Sequence, residues 1–159
     1  MNQAYFFAPH GPLGYLSPMS PHPVTIDGTR FATITHYMAH TMLSVSGINR
    51  RLIARVLADG NVSRMRTKAF SMYKKSAQWE SVKYHVVRAA TVQKFESNPS
   101  LIAQLCKLDK EPVYMDSDPF WGGERNSMGR IISEVRNEFV AKYPELSQTK
   151  VIKIGRAHV

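Results

Sequence analysis

The chain has 159 residues, of which 43% are hydrophobic and 10% are aromatic, and this composition excludes an intrinsically disordered protein. A single cysteine, Cys106, excludes an internal disulfide framework. The formal net charge of +9 predicts attraction to an anionic partner, whether a nucleotide, a nucleic acid or an acidic protein.

No stretch of the sequence has the roughly 18 consecutive apolar residues that a membrane-spanning helix needs. The N-terminus also lacks the basic-then-apolar order of a signal peptide. We therefore expect a soluble, cytoplasmic protein with no membrane partner.

Short strands are predicted in the N-terminal part of the chain. Residues 5–7 are typical of a strand, and the Pro- and Gly-rich residues 9–23 predict a loop of the kind that often builds a binding site. Residues 24–26 and 30–32 flank an Asp-Gly pair, which is a strong hairpin signal. We expect a two-stranded hairpin at this place.

Helical spacing of apolar residues marks five further segments. The first begins after Thr33 or Thr35 and is interrupted at Ser46-Gly47, and the next two are residues 48–58 and 79–95. The fourth helix begins at Asn98-Pro99 and carries Cys106, which we expect to be a buried thiol. The fifth begins after Asn126 or Ser127. A strand is predicted at residues 113–115. The predicted fold class is α+β, a predominantly helical single domain with a few short strands over residues 1–150.

The longest periodic segment, residues 79–95, has one side that we expect to pack in the core. Lys83 falls on that side, where a lysine either extends to solvent or pairs with an anion. The apolar positions assigned to this side are Trp79, Val82, Val86, Ala89, Ala90 and Phe95.

A Phe-Trp-Gly-Gly turn at residues 120–123 leads through polar residues into the last predicted helix. The side chain of Asn126 or Ser127 can cap that helix, and we expect the backbone N–H groups of its first turn to be exposed. Such groups, close to flexible glycines, suit an anionic ligand. The alternative is an ordinary helix entry with a buried tryptophan.

Positive charge is concentrated in the middle of the chain. Ten lysines and arginines lie between residues 50 and 88, where Asp59 and Glu80 are the only acids. The pattern is typical of a solvated basic face. Nucleic acid is a second possible partner, less favoured than a nucleotide, because few aromatic residues accompany the charge.

The C-terminal residues are set apart from the fold prediction. Residues 154–159 resemble the translation of a sequencing-library adapter rather than a natural C-terminus. We treat residues 151–159 as a tail.

Short motifs follow one another in order along nearly the whole chain. They are Phe6-Phe7, Gly14-Tyr15-Leu16-Ser17, Ile26-Asp27-Gly28, Phe31, Thr33, His36-Tyr37, Trp79-Glu80-Ser81-Val82-Lys83, Lys94-Phe95, Asp118, Trp121-Gly122, Asn126, Gly129 and Arg136. In identity and spacing these motifs resemble the NADAR family (NAD- and ADP-ribose-associated, YbiA-like). The resemblance implies that family's fold.

The resemblance also implies an N-glycoside hydrolase that splits ribosyl-base bonds in riboflavin precursors or releases ADP-ribose from modified guanine. In that chemistry a glutamate before the His-Tyr pair moves protons, and a lysine seven residues later traps the opened sugar as a Schiff base. Seven residues are two helical turns, so both side chains share a face. In this chain the two positions are Thr35 and Met42, which can do neither.

The positions that the resemblance assigns to ligand binding are retained. They are Phe6, Gly14, Ser17, His36, Trp79, Lys83, Asp118, Trp121, Gly122 and Asn126. We therefore expect binding without turnover of an ADP-ribose-type nucleotide, with no cofactor and no metal. Aromatic rings would hold the base, Lys83 and the loop at residues 122–126 the phosphates, and Asp118 with Ser17 the ribose.

Other interpretations remain open. His36, Trp79 and Trp121 are also compatible with purely structural roles. An active N-glycosidase, acting on ribosylamino-pyrimidine phosphates or ADP-ribosylated guanine, would need Asp118 as base with Glu80 or Lys83 assisting. The tail and the lost catalytic pair further suggest a viral protein that sequesters a cyclic ADP-ribose-type immune signal in the host cytoplasm.

Overall fold

The computed structural model describes residues 2–147, so the tail at residues 151–159 lies outside the described residues. The chain clusters into a terminal unit, residues 2–7 and 91–147, and a central unit, residues 8–90. In chain order the elements are β1 (Gln3–Phe6), β2 (Val24–Ile26), β3 (Thr29–Phe31), α1 (Ile34–Val45), α2 (Arg50–Leu57), α3 (Val62–Met72), α4 (Ala77–Glu96), α5 (Pro99–Lys107), β4 (Glu111–Tyr114) and α6 (Ser127–Lys142). The predicted α+β class, mainly helical with short strands, is confirmed, whereas the single-domain boundary at residue 150 stays a prediction.

The terminal unit is built on a two-stranded parallel sheet. Strand β1 pairs with β4 so that Phe6 lies opposite Tyr114, and their ring centroids are 5.1 Å apart. Helix α6 packs against β4 and α5, and Phe139 on α6 contacts Phe95 with centroids 6.3 Å apart. The core of this unit is therefore aromatic, with apolar side chains of α5 and α6 around it.

The hairpin and the start of α1 in the central unit confirm the sequence predictions. Strands β2 and β3 are antiparallel, and Asp27 and Gly28 between them have positive φ angles of 50° and 81°. Both central residues of a tight hairpin turn need this conformation, which explains the Asp-Gly pair. Thr33 then caps α1, since its side-chain oxygen accepts a hydrogen bond from the His36 N–H.

A three-helix cluster forms the core of the central unit. Its buried members come from α1, α2 and α3: Ala39, Leu43, Ile53, Val56, Met65 and Ala69. Helix α3 was not predicted, because its only fully buried side chains are Met65 and Ala69 and most of its other residues are polar or charged. Asn61 caps it by accepting a hydrogen bond from the Arg64 N–H at 2.8 Å, a signal that the sequence did contain.

The buried face of α4 differs from the predicted one. Val82 is 39% exposed and Ala89 is also exposed, so these two assignments were wrong. The buried positions follow a spacing of three and four residues through Trp79, Lys83, Val87, Ala90, Thr91, Lys94 and Phe95. Apolar residues alone gave the wrong face because two lysines belong to the correct one.

No helix within residues 2–147 combines the length and apolar character that crossing a membrane requires.

Candidate functional site

The loop before α6 is held by the carboxylate of Asp118. Its Oδ1 atom accepts hydrogen bonds from the N–H groups of Phe120 at 2.9 Å and Trp121 at 3.0 Å. An aspartate in this position stabilises a turn through its own side chain. The second carboxylate oxygen, Oδ2, makes no hydrogen bond within the described residues, so one oxygen of Asp118 shapes the loop while the other is open to a ligand.

The first turn of α6 is covered by that same loop. The N–H of Ser127 donates to the Phe120 carbonyl at 3.2 Å, and the N–H of Met128 donates to the Trp121 carbonyl at 3.1 Å. Ser127 and Met128 are also buried. The expectation of exposed N–H groups for an anionic ligand is therefore wrong at these two residues, because the loop carbonyls already satisfy them.

Asn126 joins α6 to strand β4. Its Oδ1 atom accepts from the Tyr114 N–H at 2.9 Å, and its Nδ2 atom donates to the Pro112 carbonyl at 3.0 Å. The residue has a left-handed backbone with φ of 43°, and its side chain makes no cap hydrogen bond to α6. The predicted side-chain cap is therefore wrong. The amide instead extends the hydrogen bonding of β4, which indicates a structural role for Asn126.

The other predicted ligand residues of the terminal unit are packed against protein. Trp121 is buried and lies edge-on to Phe120, with centroids 4.8 Å apart. Phe6 is buried on the Tyr114 ring. A side chain at Gly122 would overlap the backbone of Asp116, which explains the glycine without a ligand. Base stacking by Phe6 and Trp121 stays a prediction.

Thr35 and Met42, the positions of the expected glutamate and lysine, lie on one buried face of α1. Thr35 is 2% exposed and Met42 is 4% exposed. The Thr35 N–H donates to the Pro18 carbonyl at 3.0 Å, but its buried Oγ1 atom has no hydrogen-bond partner within the described residues. An unsatisfied buried hydroxyl is costly, by about 1–3 kcal/mol. This face of α1 therefore contains a polar atom that the fold itself does not explain.

His36 lies between the cap residue Thr33 and the end of α2. Thr33 Oγ1 lies 2.8 Å from His36 Nδ1 and already accepts the backbone N–H of the same histidine, so its hydroxyl proton is free to donate to Nδ1. Burial lowers the pKa of His36 from 6.5, opposed by a hydrogen bond to the backbone of Leu57. The imidazole therefore joins the start of α1 to the end of α2.

Lys83 has an anionic partner on its own helix. Its Nζ atom donates to Glu80 Oε1 at 2.7 Å, and Glu80 Oε2 accepts from the Tyr73 hydroxyl at 2.8 Å. Burial alone would raise the pKa of Glu80, but the hydrogen bonds from Lys83 and Tyr73, with the charges of Lys83 and Lys75, lower it. Nearby, Trp79 is buried and donates its backbone N–H to Ser76 Oγ at 3.3 Å. The predicted lysine-anion pairing is thus met by Glu80.

The loop of residues 9–23 is supported by its own backbone. A side chain at Gly14 would lie 2.6 Å from the Pro9 carbonyl oxygen, so close packing requires the glycine. The buried Ser17 Oγ accepts the Met19 N–H at 3.1 Å. Ribose binding by Ser17 stays a prediction.

Sequence reasoning missed one unusual group, Lys94 in the terminal unit. Its side chain is almost completely buried, at 1% exposure, and this burial lowers its pKa from 10.5 to about 7. The sequence did contain a signal for this burial, because Lys94 comes eleven residues after Lys83, which is close to three helical turns. Both lysines therefore lie on the buried side of α4. Within residues 2–147, no three His, Cys, Asp or Glu side chains are arranged to hold a metal ion.

The candidate residues thus fall into two sets. Asp118, Trp121, Gly122 and Asn126 share one loop of the terminal unit, with Phe6 on β1. Gly14, Ser17, His36, Trp79 and Lys83 belong to the central unit, as do Thr35 and Met42.

Three curated proteins illustrate what the chain is similar to. An N-glycosidase of Nostoc punctiforme is 27% identical over 142 residues, covering 84% of this chain and 90% of that protein. The N-glycosidase YbiA of Escherichia coli is 28% identical over 141 residues, covering 84% of this chain and 86% of YbiA. A riboflavin biosynthesis protein of Vibrio vulnificus is 27% identical over 152 residues, covering 88% of this chain. The chain spans only 39% of the length of that Vibrio protein.

The fold has a counterpart among solved structures. The NMR structure of Escherichia coli YbiA superposes with a TM-score of 0.70 at 22% identity, covering 91% of this chain and 88% of YbiA. Residues 5–140 match the NADAR domain, which is most of the chain. The chain therefore belongs to the NADAR domain family.

Proposed function

We propose that this NADAR domain binds an ADP-ribose-type nucleotide without hydrolysing it. The observation that carries the proposal is the buried face of α1, where Thr35 and Met42 stand at the positions that the resemblance assigns to glutamate and lysine. A threonine hydroxyl does not ionise near neutral pH, and a thioether cannot form an imine. These two positions therefore provide no group for proton transfer and none for imine formation.

The remaining titratable groups support binding rather than chemistry. Burial lowers the pKa of His36 and so favours its neutral form. Glu80 is kept ionised by Lys83, so it is a poor proton donor. A general acid or base needs a pKa near the working pH and an open path to substrate. The His36 ring already bonds to Thr33 and Leu57, and the Glu80 carboxylate to Lys83 and Tyr73, so neither group is free for a substrate.

The orphaned Thr35 Oγ1 favours a polar ligand beside α1. A hydrogen-bonding group of a bound nucleotide would satisfy this atom and recover part of the cost of burying it. Lys83 would hold the phosphates by exchanging Glu80 for the ligand's charge. In a viral setting, such a protein would act as a sponge for a cyclic ADP-ribose-type immune signal.

The test is recovery of the bound molecule. The protein is incubated with ADP-ribose, NAD, cyclic ADP-ribose isomers and ribosylated pyrimidine phosphates, then denatured by heat, and the released compounds are identified by mass spectrometry. We expect one nucleotide unchanged and in stoichiometric amount. Release of a free base with a sugar phosphate would overturn the proposal.

A double variant, Thr35→Glu with Met42→Lys, tests the cause of the inactivity. If only the chemistry is missing, the variant gains hydrolysis of an ADP-ribosylated guanine that the wild type binds intact. Each single variant is the control, because acid-base transfer and imine formation are both needed. Persistent inertness of a well-folded double variant would show that the pocket itself has changed.

The second candidate is an active N-glycosidase with relocated chemistry, and the names of the Nostoc and Escherichia relatives favour it. Asp118 would be the base, because its Oδ2 atom is open while Oδ1 holds the loop. Asp118→Asn separates the two roles, since an amide oxygen still accepts the two loop N–H groups but cannot take a proton. Activity present in the wild type and lost in this variant would favour the second candidate.

A further inference from the structure

Most of the net charge of the chain comes from a short part of the central unit. Residues 50–75 contain eight lysines and arginines and one acid, Asp59, which gives +7 of the total +9. The other 133 residues are close to neutral as a whole. This segment consists of α2, α3 and their flanks, so the charge is carried by two helices.

Helices α2 and α3 line a groove of about 370 Å³. Its cationic side chains come from both helices, with Arg55 on α2 and Arg64 and Lys68 on α3. The latter two are one helical turn apart and so point the same way. The floor is formed by Leu52, Val56 and Met65. We name this surface the α2–α3 groove.

Two of the three cations are not neutralised. Arg64 donates two hydrogen bonds of 2.7 Å to the carboxylate of Asp59, and these fix its guanidinium. Asp59 is the single acid of residues 50–75, so its charge is already used by Arg64. The hydrogen bonds from Arg64 and from the Asn61 backbone hold the pKa of Asp59 at about 2, so this pair stays ionised. The exposed side chains of Arg55 and Lys68 make no hydrogen bond or ion pair within the described residues.

We propose that the α2–α3 groove binds the sugar-phosphate backbone of a nucleic acid, independently of sequence. Phosphates spaced along a strand match cations on two neighbouring helices, and such contacts supply most of the affinity of non-specific binding. This inference goes beyond the proposed nucleotide binding and does not depend on it, because the groove contains none of the nucleotide-site residues.

The chemistry of the groove distinguishes nucleic acid from an acidic protein partner. Protein interfaces draw most of their binding energy from apolar and aromatic anchors that enter pockets. Here Met65 and Val56 are buried, and the exposed side chains around them are the cations Arg55, Arg64 and Lys68. Interfaces with nucleic acid are strongly positive, and the net charge of this segment has that sign.

The experiment measures fluorescence anisotropy of a labelled random-sequence DNA duplex about 20 base pairs long, and of the corresponding single-stranded RNA, from about 50 to about 200 mM salt. The test variant is Arg55→Gln with Lys68→Gln. Each lost phosphate contact reduces the slope of log affinity against log salt by about 1, so we expect a reduction of about 2. Both side chains are exposed and unpaired, so folding is preserved and is checked by circular dichroism.

The matched control is Lys107→Gln with Lys110→Gln, two exposed lysines of the terminal unit that change the net charge by the same amount. The control should bind like the wild type. Three results would overturn the proposal: no binding by the wild type at the lowest salt, an equal loss in the test and control variants, or equally tight binding of polyglutamate with the same salt slope. The last result would indicate an acidic protein partner.

Discussion

Gly129 lies directly against the side-chain amide of Asn126. A Cβ atom at residue 129 would overlap both amide atoms of Asn126 and the carbonyl oxygen of Pro112. The glycine therefore allows α6 to approach β4 closely enough for Asn126 to bridge them.

The first prediction concerns this joint. Gly129→Ala should push the Asn126 amide off its two backbone partners and destabilise the protein by about 2–3 kcal/mol, from overpacking and lost hydrogen bonds. Urea unfolding measures the change. Gly60→Ala is the control, because a methyl group there meets nothing within 4 Å, and its effect should stay within about 0.5 kcal/mol. Equal effects of the two substitutions would contradict the role given to Gly129.

The second prediction concerns the cap of α1. Thr33→Val removes the oxygen that accepts the His36 N–H and the hydroxyl beside Nδ1, and should cost about 1–2 kcal/mol. Urea unfolding measures the change. Thr33→Ser keeps the oxygen and should keep the stability of the wild type. An unchanged free energy of unfolding in the valine variant would contradict the role given to this cap.

The lowered pKa of His36 also gives the wild type a defined acid response. Below pH 6.5 the unfolded chain binds a proton that the folded histidine resists, so folding stability should fall as the pH drops through this range. His36→Gln should weaken that dependence. A stability profile equally steep in the variant would show that other groups cause it.

Lys94 provides the third prediction, at alkaline pH. Its pKa is lowered by burial from 10.5 to about 7, and between these values the unfolded chain holds a proton that the folded chain lacks. Stability should therefore rise with pH, by about 1.5 kcal/mol between about pH 7 and about pH 8.5. This range lies below the ordinary value of 9.0 for Cys106, whose raised pKa acts in the opposite direction.

The measurement compares the urea midpoints of wild type and Lys94→Met at the two pH values. The methionine variant should lose the rise with pH, because it has no amine that can release a proton. Lys107→Met, which changes an exposed lysine, should behave like the wild type. A rise that persists in Lys94→Met would refute the assignment.

The fourth prediction tests Lys83 as the phosphate ligand. Lys83→Met should weaken binding of ADP-ribose roughly tenfold or more, since hydrogen bonds between charged groups contribute about 1.5–3 kcal/mol. Isothermal calorimetry measures the affinity, and Lys75→Met, at an exposed position near Glu80, is the control. If Lys83 serves only Glu80, the variant will lose stability while its affinity for ADP-ribose stays the same.

Local signals in the sequence predicted much of the fold. The Asp-Gly turn, the Thr33 cap and the proline at the start of α5 are each decided by a few neighbouring residues, and all are confirmed. Cys106 is buried, as its apolar spacing indicated. Helix α3 was missed because its stability comes from packing Met65 and Ala69 into a cluster whose other members are distant in sequence.

The failures at the candidate site share one physical cause. Asn126 was expected to cap its own helix, but its amide bonds to a strand twelve and fourteen residues earlier. The N–H groups of Ser127 and Met128 were expected to be open, but carbonyls of the preceding loop accept them. Buried backbone N–H and C=O groups need hydrogen-bond partners, and the tertiary fold decides which partner lies close enough. Spacing along the sequence alone cannot identify that partner.

The pairing of β1 with β4 has a consequence for synthesis on the ribosome. More than 100 residues separate Gln3 from Glu111, its partner in the sheet, whereas the central unit is continuous in sequence. The hairpin and helices α1 to α3 can therefore fold while β1 still has exposed backbone edges. A fusion at the N-terminus that delays or blocks this late docking should lower the yield of folded protein more than the same fusion placed in an exposed loop of the central unit.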